Sequence, residues 1–207
     1  MKRTRFVWPI ILIVVICLSV CLSVVEARGE EGHGKSNRRR EGKKTEKEFG
    51  DVIERIGRLY RKGQYVEAKK KAERVLEPVM KRGTVRQAQR LSWLYSWSCN
   101  SGYWGKQCRQ SYKKLLKGKI PEQRKKLCRL MLAREYLVNR ADENAKNLIS
   151  ALSLSSPENP QSYEESLLYA LKAQLGLFEN PSVAYRSAAE WFVEHHYWWQ
   201  AGWVQRK

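Results

Sequence analysis

The sequence predicts an all-helical domain built from repeated units, and three observations carry that prediction. Apolar residues recur at spacings of three and four, as in Val52-Ile53-x-x-Ile56-x-x-Leu59-Tyr60, which puts them on one helix face. Strand-like alternation is absent, and the six prolines read as helix edges or breaks. Small residues return at a near-constant interval: Ala68, Cys108, Ala145 and Ala184 lie 40, 37 and 39 residues apart. A period of that length marks supersecondary units that bury their apolar faces against one another.

Taken in order, the chain opens with Lys2, Arg3 and Arg5 ahead of Phe6 to Val25, twenty residues without a charge. A helix of that length is about 30 Å long, enough to span a bilayer. Pro9 lies near its start, where a helix tolerates proline. Val25-Glu26-Ala27 is a small-x-small pattern suited to signal peptidase. Two readings of 1–27 stand side by side: a secretory signal cut after Ala27, or an uncut signal anchor. Both export the domain to a periplasm, cell envelope or secretory pathway. Arg28, Lys35, Arg38, Arg39 and Arg40 follow the segment, so charge flanks leave a cytoplasmic domain behind an anchor open. Cys17 and Cys21 follow bulky Ile16 and Val20 and read as apolar filler.

Residues 28–48 are polar and mixed in charge, and Gly29 to Glu48 holds no apolar residue to bury. That composition predicts a disordered tether. Arg38-Arg39-Arg40 and Lys43-Lys44 also fit a lipid-surface patch, whereas export argues against a nuclear signal.

The helical domain is expected over 49–207. Its first helix ends at Gly63, which takes positive φ cheaply. Tyr65, Ala68, Ala72, Val75 and Leu76 form the apolar face of the second, with Pro78 near its end. Thr84-Val85-Arg86-Gln87 reads as a capping box opening a third, aromatic helix with Trp93, Tyr95 and Trp97. Asn100-Ser101-Gly102 is a turn, and the fourth helix carries Cys108, Tyr112 and Leu115 up to Gly118. Pro121 opens the fifth, with Leu127, Leu130, Leu132 and Tyr136. Asp142 and Ala145 lead the sixth, and Ser156 to Pro160 is a break. Ser162-x-x-Glu165 caps the seventh, and Asn180-Pro181 starts the eighth.

Gly63-Gln64-Tyr65-Val66-Glu67-Ala68, the apolar helix before it and Pro78 after it together resemble the tetratricopeptide repeat (TPR). Leu132, Ala133, Tyr136, Ala145, Ile149, Leu152 and Pro157 match as a third copy. Leu168, Leu171, Leu175, Ala184, Ala188 and Trp191 match as a fourth. The second copy, around Leu94, Ser96, Cys99, Cys108 and Tyr112, is degenerate and lacks the turn glycine. The resemblance covers residues 50 to 196. It implies an α-solenoid of about four helical hairpins and recognition of a protein or peptide on the face lined by the first helices. An irregular all-helical domain is the alternative architecture.

Tyr197 to Gln205 is read as a final capping helix with its aromatics turned inward, since a terminal repeat needs cover. The competing reading makes Trp198, Trp199 and Trp203 a recognition patch, because Trp, Tyr and Arg dominate binding hot spots. A third makes them an anchor at a membrane interface.

The net charge is +19. Residues 1–50 hold eleven basic and six acidic residues, +5, which leaves +14 on the helical part. Such an excess favours an anionic partner, set against the simpler reading of a solvated basic surface. The expected function is therefore an exported or membrane-tethered scaffold for protein–protein interaction with an acidic partner. An anionic polymer or lipid surface is the alternative, and nucleic acid is less natural for an exported chain. Arg58, Arg61, Lys62, Arg90, Arg129 and Arg134 are the candidate partner-binding cations, chosen because they fall on first helices.

Little points to catalysis. There is no phosphate-cradling glycine loop, serine-nucleophile motif or paired-carboxylate arrangement, so no enzymatic role and no cofactor are expected. His195 and His196 are adjacent, so on a helix they point about 100° apart and do not share a metal. Cys99 and Cys108 flank the turn of the second copy. Either they form a disulfide, plausible in an exported chain, or they are two small buried thiols.

Overall fold

The computed structural model describes residues 44–150, 152 and 160–205. The chain separates into two units, Met1–Glu48 and Phe49–Lys207. Of the first unit only residues 44–48 are described, so the apolar run, the cleavage pattern and most of the tether lie outside the described residues. The tether expected over 28–48 stops short of Glu48, because residues 44–48 are already helical. Thr45 among them is partly buried, and adding a turn to an existing helix costs no new nucleation. Among the described residues all regular structure is helical, and no helix is long and apolar enough to cross a membrane.

Helix α1 covers residues 44–61. It is followed by α2 (Tyr65–Arg82), α3 (Val85–Ser101), α4 (Gly105–Lys117), α5 (Glu122–Val138), α6 (Asp142–Ile149), α7 (Tyr163–Gln174), α8 (Pro181–Glu194) and α9 (Trp198–Val204). The sequence signals for helix starts hold. The Gln87 amide donates to Thr84 Oγ1 at 3.2 Å, and the Thr84 amide donates to Gln87 Oε1 at 3.0 Å. Ser162 caps α7 through the Glu165 amide, and Pro181 is the first residue of α8. Pro78 lies inside α2, one turn before its end, as expected. Pro121 is the cap of α5 rather than its first residue.

One turn recurs throughout. Gly63, Tyr103, Arg140, Gly176 and His196 all have positive φ, between 54° and 74°. After each, the next amide reaches back five residues: Gln64 to the Leu59 carbonyl, Trp104 to Cys99, Ala141 to Tyr136, Leu177 to Lys172 and Tyr197 to Phe192. This is the Schellman closure, which satisfies carbonyls that a helix end leaves open. Tyr103 does in the α3–α4 turn what Gly63 does in the α1–α2 turn, so the missing glycine of the second copy changes the residue and not the conformation.

The helices after these turns share a register. Ala68, Cys108, Ala145 and Ala184 are each the fourth residue of α2, α4, α6 and α8, and all are buried. Four residues on, Ala72, Tyr112, Ile149 and Ala188 are wholly buried. Positions four and eight lie one above the other on a helix, so each even helix presents the same stripe inward. Adjacent helices pack along the chain, and α3, α5 and α7 also pack against one another. Leu91, Leu127, Leu130, Met131 and Leu168 fill the layer between them.

Candidate functional site

Helix α3 is an aromatic helix buried on most sides. Trp93 and Trp97, one turn apart, face the same way and meet tilted at 5.8 Å between ring centroids. Tyr60 at the end of α1 meets Trp97 at 5.7 Å. These three rings form a wall that no single helix could build.

Helix α9 comes back across this wall. The turn at His196 starts it, Tyr197 Oη donates to Gln89 Oε1 at 2.7 Å, and Gln200 Nε2 donates to Tyr163 Oη at 3.3 Å. Trp199 then meets Trp97 edge-on at 5.2 Å and Tyr60 at 6.2 Å, and Trp203 meets Trp93 at 5.6 Å. Burial is divided along this helix. Ala201, Trp203 and Val204 are core, whereas Trp198 and Trp199 keep 59% and 44% of their surface exposed.

Arg134 of α5 ends between two of the tryptophans. Its guanidinium lies 4.5 Å from the Trp93 ring and 5.5 Å from the Trp203 ring. Nη1 donates to Ser96 Oγ at 2.6 Å and to Glu135 Oε1 at 3.0 Å. Ser96 donates to the same carboxylate oxygen, and Asn100 Nδ2 reaches it at 3.2 Å. Glu135 is wholly buried and Arg134 is 4% exposed, so this is a charge pair in the core. Three buried polar atoms of the cluster have no partner: Arg134 Nε, Glu135 Oε2 and Trp93 Nε1. Two are donors and one is an acceptor, and an unmet polar group in the interior costs roughly 1–3 kcal/mol.

Two clefts open beside it. The larger, about 620 Å³, has Arg134 at its base and Tyr60, Trp97, Trp198 and Trp199 around it. The smaller, about 290 Å³, has Arg61, Arg86 and Arg90 facing Trp97, Trp198 and Trp199. Trp97, Trp198 and Trp199 therefore form a ridge with an arginine on one side and three on the other.

The expected cations divide unevenly over this geometry. Arg61 and Arg90 line the smaller cleft, but both bind one carboxylate, Glu54, at 3.2 Å and 2.5 Å. Arg90, and then Arg61, hold the Glu54 carboxyl below its usual range by hydrogen bonding. Arg134 is a buried, paired group and not the exposed groove cation expected. Arg129 is exposed enough to see solvent but pairs with Glu122 at the start of its own helix, at 3.4 Å, and lines neither cleft. Arg58 and Lys62 are exposed and also line neither. Tyr60, Trp93, Trp97 and Arg86 were not expected. The i, i+4 pair of tryptophans on a first helix was the available signal.

Cys99 and Cys108 are both wholly buried, and both are free thiols rather than the bridge considered above. Burial, and then the bond with Cys99, pushes the Cys108 thiol well up. Cys128 is likewise free and buried, its thiol pushed up to about 12 by burial. His195 stacks on Trp191 at 3.9 Å. Compared with protein-family models, with curated proteins and with solved structures, the chain finds no significant match in any of the three.

Proposed function

We propose that residues 49–207 form a TPR-like α-solenoid serving as a scaffold in an exported or membrane-tethered chain, and that the face built from α1, α3, α5 and α9 holds an acidic segment of a partner protein. The observation that carries this reading is Arg134. Its guanidinium is fixed between two tryptophans, spends one nitrogen on Ser96 and Glu135, and leaves Nε without an acceptor beside a cleft of about 620 Å³. A carboxylate drawn into that cleft gains a charge-assisted hydrogen bond from a guanidinium already held in place. The aromatic ridge supplies rigid contact area at little entropic cost, as hot-spot residues do. Arg86 adds charge on the far side of the ridge, its guanidinium lying over the Tyr197 ring at 5.9 Å.

The test is titration with short acidic peptides, with and without one aromatic residue, read by tryptophan fluorescence. Acidic peptides bind and lysine-rich peptides of the same length do not. Trp198→Ala combined with Trp199→Ala weakens binding by about tenfold or more, the scale of a hot-spot residue, without loss of helical content. Equal binding of acidic and basic peptides removes the proposal.

A further inference from the structure

We propose a second interaction surface: the outward face of α4 docks onto an anionic lipid bilayer. It shares no residue with either cleft. Helix α4 carries Lys106, Arg109, Lys113, Lys114 and Lys117 and no acidic residue. At 100° per residue these five fall within an arc of about 140°, and Lys106, Lys113 and Lys117 within about 40°. Cys108, Tyr112 and Leu115 are buried on the opposite side, so the four lysines face out, while Arg109 is half-buried with its Nη1 inside.

Among the described residues, unpaired cations such as Arg58 and Lys62 occur elsewhere on the surface, but on α4 five cations share one helix face without an acid among them. Arg61, Arg90, Arg129 and Arg134 all have carboxylate partners. Among the described residues none of the five α4 cations forms an ion pair; Glu77, the acid within the field of Lys114, is bonded to Lys81. Like charges on one helix face repel and weaken the helix unless an outside anion offsets them.

Two further features favour a bilayer over a purely hydrophilic polyanion. A cleft of about 410 Å³ beside the stripe has Leu116, Leu132, Tyr136 and Leu148 in its lining and Lys113 and Lys117 among them. Arg109 and Lys113 each sit 5.6 Å from the Tyr136 ring. At the start of α4, Tyr103 is 98% exposed and held at φ 61°. An aromatic ring in that backbone conformation gains nothing from the fold, whereas tyrosine is favoured at the boundary between headgroups and acyl chains. The uncharged run Phe6–Val25, on its membrane readings, brings the same chain to a bilayer.

The experiment is amine-acylation footprinting of the full chain, read by peptide mass, with vesicles of phosphatidylcholine alone and of phosphatidylcholine with phosphatidylglycerol. Lys106, Lys113, Lys114 and Lys117 lose reactivity with the anionic vesicles only, and regain it at high salt, while exposed Lys62 does not change. Lys113→Gln with Lys117→Gln lowers partitioning by about 25-fold, about fivefold per lysine near the surface, and restores reactivity at Lys106 and Lys114. That variant leaves acidic-peptide binding at the clefts unchanged, so failure of one surface is distinguished from failure of the other. Equal reactivity of the four lysines in the two vesicle types overturns the proposal. So does protection by heparin or RNA with none by vesicles.

Discussion

The guanidinium of Arg134 lies 4.5 Å from the ring of Trp93, and neither residue completes its hydrogen bonding: Nε of one and Nε1 of the other are buried without a partner. A cation over an indole face is favourable, and more so out of water. The same burial makes the unpaired N–H groups costly. The pair is held because Glu135, Ser96 and Trp203 fix the guanidinium from its other sides.

That relationship makes a stability prediction. Arg134→Met alone leaves Glu135 buried without its cation and costs about 3–5 kcal/mol. Arg134→Met with Glu135→Leu removes both charges and recovers much of that loss. Urea unfolding of the two single variants and the double variant measures the coupling. Additive losses count against a coupled pair.

The shared turn predicts a gain. Tyr103 is at φ 61° and exposed, so Tyr103→Gly relieves a conformation that costs a side-chain-bearing residue about 1 kcal/mol or more. The gain raises Tm by about 2–4 °C in a domain of this size. Gly63→Ala, at φ 74°, moves Tm the opposite way. Gly102→Ala is worse than either, because a Cβ there falls 2.0 Å from the Trp104 ring. Calorimetry ranks the three.

The Cys99–Cys108 contact predicts selective oxidation. With oxidised glutathione the two thiols join, each losing its hydrogen as glutathione is reduced, while Cys128 stays free. Blocking of free thiols followed by intact mass counts what remains. The raised Cys108 pKa keeps thiolate scarce near neutral pH, so the reaction speeds up as the buffer is made alkaline. A bridge that includes Cys128 counts against the nearness of Cys99 to Cys108.

Alkaline pH is expected to destabilise the domain for a related reason. Burial raises Cys108 and Cys128, and it raises Tyr95, Tyr112 and Tyr163 as well. Each then keeps its proton in the folded state above the pH at which the unfolded chain gives it up. The unfolded state binds fewer protons there, so stability is present below the unfolded pKa and falls as pH rises past it. The fall begins near pH 8.5 for the thiols and steepens near pH 10 for the tyrosines. Urea midpoints from pH 7 to pH 11 measure it, and a flat profile contradicts the burial of these groups.

The sequence by itself determined the helices and their register. Spacings of three and four, the Thr84 box, Ser162 and Pro181 are local signals, and each acts within one turn of chain. The interval between Ala68, Cys108, Ala145 and Ala184 located four buried stripes, because a small side chain at a close helix crossing is dictated by sterics that repeat with the unit. Tertiary structure alone decided the site. Whether an arginine is a free surface charge depends on a carboxylate that can be far along the chain, as Glu54 is from Arg90, so placement on a first helix did not separate Arg61 and Arg90 from Arg134 or Arg129. The ridge needed Tyr60, Trp97 and Trp199 to meet from three helices, and that meeting depends on where the His196 turn sends α9. Local chemistry writes the elements of this chain; the return of α9 across α1 and α3 sets which of their aromatic rings are covered and which stay exposed.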